Sequence, residues 1–187
     1  KRIGELPHAS GAQSIDNGET GFAIESGTWG SAGGGVNANI RFAATGDGSA
    51  VASWTFTGLV AGQYRVSATW AAHNNRATDS PFTIYDGGTE RGTVDVDQQL
   101  VRSSSPEVTG VDPGWRGLVG LHSITGDTRV VRLTNDAKQY VIADPVRVQR
   151  IGHPPPQPGA QSLAHRRTRF GAGEGTGGAA GGSPLTC

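Results

Sequence analysis

Methionine is absent from the 187-residue sequence, and the single cysteine is the last residue, Cys187. One cysteine cannot close an internal disulfide, and alone it cannot form a cysteine-based metal site. A domain in this chain must therefore be held together by its own apolar core. Because position 1 is not methionine and no apolar run follows Lys1 and Arg2, we expect a fragment or processed product that lacks its true N-terminus and signal.

Long apolar runs and an excess of one charge are also missing. No stretch of about 18 apolar residues occurs, so the sequence predicts no membrane insertion. Lys plus Arg and Asp plus Glu each number 16, and this balance is unlike that of nucleic-acid-binding proteins. We find no nucleophile elbow, HExxH helix or P-loop, and no EF-hand loop that would indicate calcium. The sequence therefore gives no catalytic residue, metal ligand or cofactor.

Glycine and proline are abundant, at 30 and 10 residues, and they divide the chain into regions. Between residues 13 and 152 they form turn signals such as Gly46-Asp47-Gly48, between apolar stretches. Residues 153–187 combine Gly, Pro and Arg with very few apolar side chains, which predicts a disordered tail. An alternative is that this segment is a reading-frame artefact. Residues 1–12 are predicted to be a leader or linker remnant.

Apolar and polar residues alternate over short stretches of residues 13–152. In Ser49–Phe56 and Tyr64–Trp70 the apolar side chains share one face, and the same pattern returns in four later stretches: Phe82–Tyr85, Thr93–Val96, Arg129–Thr134 and Pro145–Ile151. A period of two over short runs indicates strands with one buried face. The predicted fold is all-β, an antiparallel two-sheet β-sandwich of jelly-roll-like form.

Two polar segments, residues 69–81 and 133–144, interrupt this pattern at strand ends. They contain aromatic rings and planar amide, carboxylate and guanidinium groups, which place hydrogen-bond donors and acceptors at the mouth of a sheet. The candidate ligand-binding residues are Trp70, His73, Asn75, Arg76, Tyr85, Asn135, Tyr140 and Asp144.

All of these residues except Tyr85 also have a structural interpretation, and His73 could be a hydrogen-bonded structural histidine. Trp70 is in phase with buried positions and could belong to the core. Arg76 could pair with Asp144, and Asn75 and Asn135 could bond to turn backbone. The hydroxyl of Tyr140 could bond to backbone, as tyrosines at β-sandwich corners do.

The order of the motifs resembles one known family. The strings ATW-xx-HNNRAT-xx-PFTIYDGG, GTV-x-V-x-QQ and LTNDA-xx-YVIAD-x-VRV are similar to the golvesin C-terminal-like domain, also called the xanthan-lyase carbohydrate-binding-like domain. The resemblance covers about residues 14–151. It implies a β-sandwich module of secreted or surface bacterial proteins, which is part of a multidomain chain.

The resemblance further implies a noncatalytic module that binds a polysaccharide or cell-surface glycan. In such a site, aromatic rings could stack on the C–H face of a sugar, and the guanidinium of Arg76 would also suit uronates or pyruvylated sugars. Two alternatives remain open. The chain could be a structural or adhesion domain without a glycan ligand. It could also be a polysaccharide lyase or hydrolase, with His73 or Tyr140 as the base and Arg76 as the group that neutralises charge.

Overall fold

The computed structural model describes residues 11–101, 114–118, 120 and 122–153. The predicted leader lies almost wholly outside this range, and the predicted tail after His153 lies outside it entirely. The described residues form short strands and one 3₁₀ turn, Val36–Ala38. The strands are β1 Ala12–Ile15, β2 Phe22–Ser26, β3 Gly30–Ala32, β4 Ile40–Ala43, β5 Val51–Phe56, β6 Gly62–Ala68, β7 Ser80–Asp86, β8 Thr89–Val96, β9 Arg116–Gly117, β10 His122–Ile124, β11 Arg129–Thr134, β12 Val141–Ala143 and β13 Val146–Gly152.

Two antiparallel sheets form the sandwich. One has the order β1-β13-β6-β10, with β9 also pairing with β6, and the other has the order β2-β5-β11-β7-β8. The alternation seen in the sequence is the cause of this packing, because it gives each strand one apolar face. Trp54 lies at the centre of the core, with its ring centroid 5.5 Å from that of Phe22 and 6.2 Å from that of Phe82. The predicted β-sandwich is confirmed.

A third, smaller sheet was not predicted. It has the order β12-β4-β3. Strand β3 lies in a glycine-rich part of the sequence where apolar and polar residues do not alternate clearly. Buried Gln98 fixes this sheet to the sandwich. Its Oε1 accepts hydrogen bonds from Ile142 N at 2.8 Å and Ser80 Oγ at 2.9 Å, and its Nε2 donates to Ile142 O at 2.8 Å. The amide thereby pairs with the backbone of β12 as a neighbouring strand would.

A cation is buried at the other end of the second sheet. Arg129 has 0% exposure and is the cross-strand partner of Asp86 in the β11–β7 pair. Asp86 Oδ2 accepts hydrogen bonds from Arg91 Nη2 at 2.7 Å and from Thr125 N and Oγ1 at 3.2 and 3.1 Å. Burial lowers the pKa of Arg129 to about 10, and the negative charge of Asp86 opposes this shift.

The carboxylate of Asp86 is expected to make stability depend on pH. Burial alone would raise its pKa, but the bonds from Arg91 and Thr125 outweigh burial and hold the pKa below its usual value. A lowered pKa stabilises the fold above the unfolded-state value of about 3.9, and this contribution is lost as pH falls through the folded-state value.

We expect Asp86→Asn to lower the free energy of unfolding by about 2 kcal/mol at pH 7, since a charged hydrogen-bond acceptor is lost. The difference from the wild type should shrink as pH falls below about 4. Urea unfolding at several pH values measures it. A difference that stays constant between pH 7 and pH 3 would show that the charge of Asp86 does not carry the effect.

Candidate functional site

Two adjoining clefts open where the polar segments meet the small sheet. One has a volume of about 270 Å³ and the other of about 320 Å³, and both are lined by Asn75 and Tyr140. We call them together the Tyr140 clefts. The first is also lined by Ala32, Ile40, Phe42 and Arg76. The second is also lined by Ala44, Thr45, Lys138 and Gln139.

Tyr140 stands between the two clefts with 39% of its surface exposed. Its ring packs edge-on against Phe42, with centroids 5.7 Å apart, and this contact fixes its direction. Among the described residues, no hydrogen bond uses its hydroxyl. The hydroxyl that does bond to backbone is that of Tyr64, which donates to Val60 O at 2.8 Å. Tyr140 therefore presents a held ring and an available hydroxyl.

The backbone joins Tyr140 to the first polar segment. Arg76 and Tyr140 form an isolated parallel β-bridge, and Ala77 N donates to Tyr140 O at 2.8 Å. Residues paired in this way lie about 5 Å apart and point to the same side. The bridge thus brings the two residues together, and both side chains line the first cleft.

A tight turn presents the side chains of the first segment. Arg76 N donates to His73 O at 3.1 Å and closes the turn. Asn75 Oδ1 lies 2.7 Å from His73 Nδ1 and accepts from Arg76 Nη1 at 2.8 Å. The 2.7 Å contact is a hydrogen bond when His73 Nδ1 carries the proton. Asn75 Nδ2 makes no hydrogen bond to any described residue.

Positive charge dominates the Tyr140 clefts. Partial burial lowers the pKa of Arg76 from its ordinary value, although a guanidinium stays protonated at neutral pH. Lys138 Nζ pairs with Asp79 Oδ2 at 3.1 Å, outside the lining. A hydrogen bond from Lys138 N to Asp79 Oδ1, at 3.0 Å, is the main cause that lowers the pKa of Asp79. Among the described residues no carboxylate lines either cleft.

Three predicted residues lie behind this surface. Trp70 has 1% exposure and donates from Nε1 to Leu100 O at 3.2 Å, so its ring belongs to the core and cannot stack on a ligand. Asn135 is buried and bonds to Gly48 N, Ala50 N and Ala44 O at 3.0–3.1 Å. It fixes the chain before β5 to the end of β11. This agrees with the structural interpretation, in which Asn135 bonds to turn backbone.

Asp144 is also buried, and its carboxylate accepts from Val36 N at 3.2 and 3.4 Å. This bond holds the 3₁₀ turn before β4. Gly35 has a φ of 67°, and a Cβ there would lie 2.2 Å from Asp144 Oδ2. The glycine is therefore required for the turn to approach the carboxylate. Arg76 is held by Asn75 and by Ala71 O at 3.4 Å, and the expected pair with Asp144 is not formed.

Tyr85 lies on a different surface. It belongs to β7 in the five-stranded β2-β5-β11-β7-β8 sheet, where the guanidinium carbon of Arg132 sits 5.1 Å from its ring centroid. Arg132 Nε in turn pairs with Glu25 Oε2 at 3.0 Å. The structure thus brings together His73, Asn75, Arg76 and Tyr140, and separates them from Tyr85.

Several lining residues were missed by the sequence prediction. Lys138 and Gln139 lie in the second polar segment but were not selected. Ala32, Ile40 and Phe42 come from the unpredicted small sheet. The only sequence signal for them was the apolar pair Ile40 and Phe42, spaced by two, which indicates a strand but not a cleft.

The described part of the chain shows neither a metal cluster nor a membrane-spanning helix. Among those residues no group of three or more His, Cys, Asp or Glu side chains could hold a metal ion. Within the same ranges, no helix is long and apolar enough to cross a bilayer.

The fold has known counterparts in solved structures. A family 35 carbohydrate-binding module from an environmental isolate is 15% identical, with a TM-score of 0.50, over 78% of this chain and 99% of the module. At this identity the match shows a shared β-sandwich fold. A Paenibacillus xanthan lyase is 26% identical, with a TM-score of 0.61, over 76% of this chain. This match covers only 13% of the lyase chain.

The family of the chain follows from its sequence profile. The model of the Golvesin C-terminal domain matches residues 13–150, and the chain belongs to this family. The resemblance carried by the HNNRAT and LTNDA motifs is thereby confirmed. The comparison with curated proteins gives no match.

Proposed function

We propose that this chain is a noncatalytic polysaccharide-binding module of a larger secreted or surface bacterial protein, and that it binds glycan at the Tyr140 clefts. The observation that carries the proposal is the exposed ring of Tyr140 between two clefts, next to polar groups that have no partner among the described residues. A pyranose ring offers an apolar C–H face and a rim of hydroxyls. The Tyr140 ring and the amide of Asn75 complement these two features.

The comparisons support a module inside a longer protein. The similarity to a xanthan lyase extends over 13% of the lyase chain, which suits an accessory domain next to other parts. A xanthan lyase is also a protein that acts on a polysaccharide. Secretion and a multidomain parent are also parts of the proposal. They follow from what the resemblance to this family implies about the proteins in which such domains occur.

The chemistry of the clefts favours binding over catalysis. General acid and base pairs are usually two groups with opposed protonation states at hydrogen-bond reach of the reacting atoms. The ionisable groups that line the clefts are Arg76, Lys138 and Tyr140. His73 is engaged with Asn75 at the rim. A lyase or hydrolase would release new sugar ends, and reducing-end and unsaturated-product assays test for it.

A structural or adhesion domain is the second candidate. The internal bonds of Asn135 and Asp144 favour it, since two of the predicted site residues hold loops in place. This reading requires no glycan contact at Tyr140, and a binding measurement therefore separates it from the proposal.

Affinity electrophoresis of the whole chain through gels with neutral or acidic polysaccharides tests the proposal. We expect retardation by at least one polymer, with no new reducing ends after prolonged incubation. If every polymer and a broad glycan array leave the chain unretarded, the structural reading replaces the binding proposal. If new ends accumulate, the chain is an enzyme.

A further inference from the structure

Arg76 is a partly buried cation that has no acidic partner among the described residues. Its Nε donates to Ala71 O at 3.4 Å and its Nη1 to Asn75 Oδ1 at 2.8 Å. Both acceptors are neutral, and within the described ranges no hydrogen bond uses Nη2. The side chain is therefore held in place while part of its guanidinium remains available to a ligand.

The acids of the neighbouring segments do not neutralise Arg76. Asp79 pairs with Lys138, at 3.1 Å between Oδ2 and Nζ. The carboxylate of Asp144 is buried behind the clefts, where it accepts from Val36 N. Partial burial lowers the pKa of Arg76, which shows that the cation loses solvation at this place. A desolvated cation gains from an anionic partner.

The position of the charge relative to the ring limits the kind of anion. The β-bridge pairs Arg76 with Tyr140, and both side chains line the first cleft. A ligand that fills this cleft can therefore contact the cation and the aromatic ring at the same time. A free inorganic anion would leave the ring uncovered, whereas a sugar with a carboxylate fills both positions.

We propose that the Tyr140 clefts select acidic glycans, with a sugar-borne carboxylate on the guanidinium of Arg76 and the sugar ring on Tyr140. This inference rests on the proposed function and adds the class of ligand. The carboxylate could belong to a uronate or to a pyruvate ketal. Both present the planar two-oxygen group that the fork of a guanidinium matches.

The first test uses the wild-type chain and pairs of polymers. Calorimetry at about 0.15 M salt, where long-range attraction is screened, compares a polyuronate with its carboxyl-reduced form, and a pyruvylated polymer with its depyruvylated form. We expect about tenfold weaker binding to the neutral form in at least one pair. The pair that shows the difference identifies the source of the carboxylate.

The second test uses variants with a matched control. Arg76→Gln should weaken binding to the acidic polymer about tenfold and should abolish its preference over the neutral form, while Arg76→Lys should retain part of it. Arg132→Gln removes the same charge beside Tyr85, on the other surface, and should leave the affinity unchanged. Thermal melting establishes that each variant is folded.

The outcomes are distinct. Equal wild-type affinity for acidic and neutral polymers overturns the acidic selectivity and leaves the proposed function intact. An equal loss in Arg132→Gln and Arg76→Gln also overturns it, because net charge would then be the cause. If the wild type binds no polymer of either pair but is retarded by another polysaccharide, the acidic selectivity fails and the proposed function stands. If no polysaccharide or arrayed glycan binds, the proposed function itself fails. The polymer comparison remains decisive even if Arg76→Gln does not fold, since it uses the wild-type chain.

Discussion

Replacement of Tyr140 by alanine is expected to weaken polysaccharide binding about 30-fold or more. An aromatic ring at the centre of a binding surface commonly contributes about 2 kcal/mol or more when it is truncated. Tyr140 is the ring that lies between both clefts, and Phe42 holds it in one direction. Affinity electrophoresis and calorimetry on the polymer that binds best measure the change.

The fold should tolerate this substitution. The side chain is 39% exposed, and its main contact within the described chain is the edge of Phe42, so we expect a loss of stability of about 1 kcal/mol or less. Tyr140→Phe should keep most of the affinity, because it keeps the ring and removes only the hydroxyl.

Tyr85→Ala is the matched control. It removes the same side chain from the outer face of the sandwich, where Arg132 covers it. Affinity should be unchanged. If instead Tyr85→Ala abolishes binding and Tyr140→Ala does not, the glycan lies on the face of the five-stranded sheet, and the Tyr140 clefts are not the site.

The largest loss of stability is expected from Gln98→Leu. The leucine side chain has a similar volume, but it leaves Ile142 N, Ile142 O and Ser80 Oγ without their partner in a buried place. Each such group costs about 1–3 kcal/mol. We therefore expect a loss of about 4 kcal/mol, which lowers the melting temperature by more than about 10 °C. Calorimetric melting and urea unfolding measure it.

Gln99→Leu provides the comparison for Gln98. The neighbouring amide is only partly buried and donates from Nε2 to Arg76 O at 2.9 Å and to Gln139 Oε1 at 3.1 Å. Water can replace these partners, so the expected loss is about 1 kcal/mol or less. Equal losses in the two variants would show that the buried amide of Gln98 is not what attaches β12 to the sandwich.

The sandwich was predictable because its signal is local. In β5 and β6, apolar and polar residues alternate with a period of two, and Trp54 and Val66 are buried as that alternation requires. The small sheet was not predictable in the same way. In β3 the residues are Gly30-Ser31-Ala32, which carry no apolar face, and their position depends on pairing with β4.

The site was predictable only in part for the same reason. His73, Asn75, Arg76 and Tyr140 could be proposed from their chemistry, since polar segments at strand ends are suited to binding, and their role in binding stays a prediction. The same chemistry could not show that Asp144 and Asn135 hold loops in place. Acids and amides that bind ligands and those that hold loops are the same residue types. Their partners, Val36 N and Gly48 N, come from distant parts of the chain.

The bridge between Arg76 and Tyr140 joins the two halves of the clefts, which come from segments far apart in the sequence. Neither peptide alone contains the site, and closing such a long-range contact costs chain entropy. A glycan that binds here recognises only molecules in which β12 has docked. By mass action it would then draw the folding equilibrium toward that state. If the clefts bind glycan as proposed, ligand retention would report the fraction of a preparation in which β12 has docked, which secondary structure content alone does not measure.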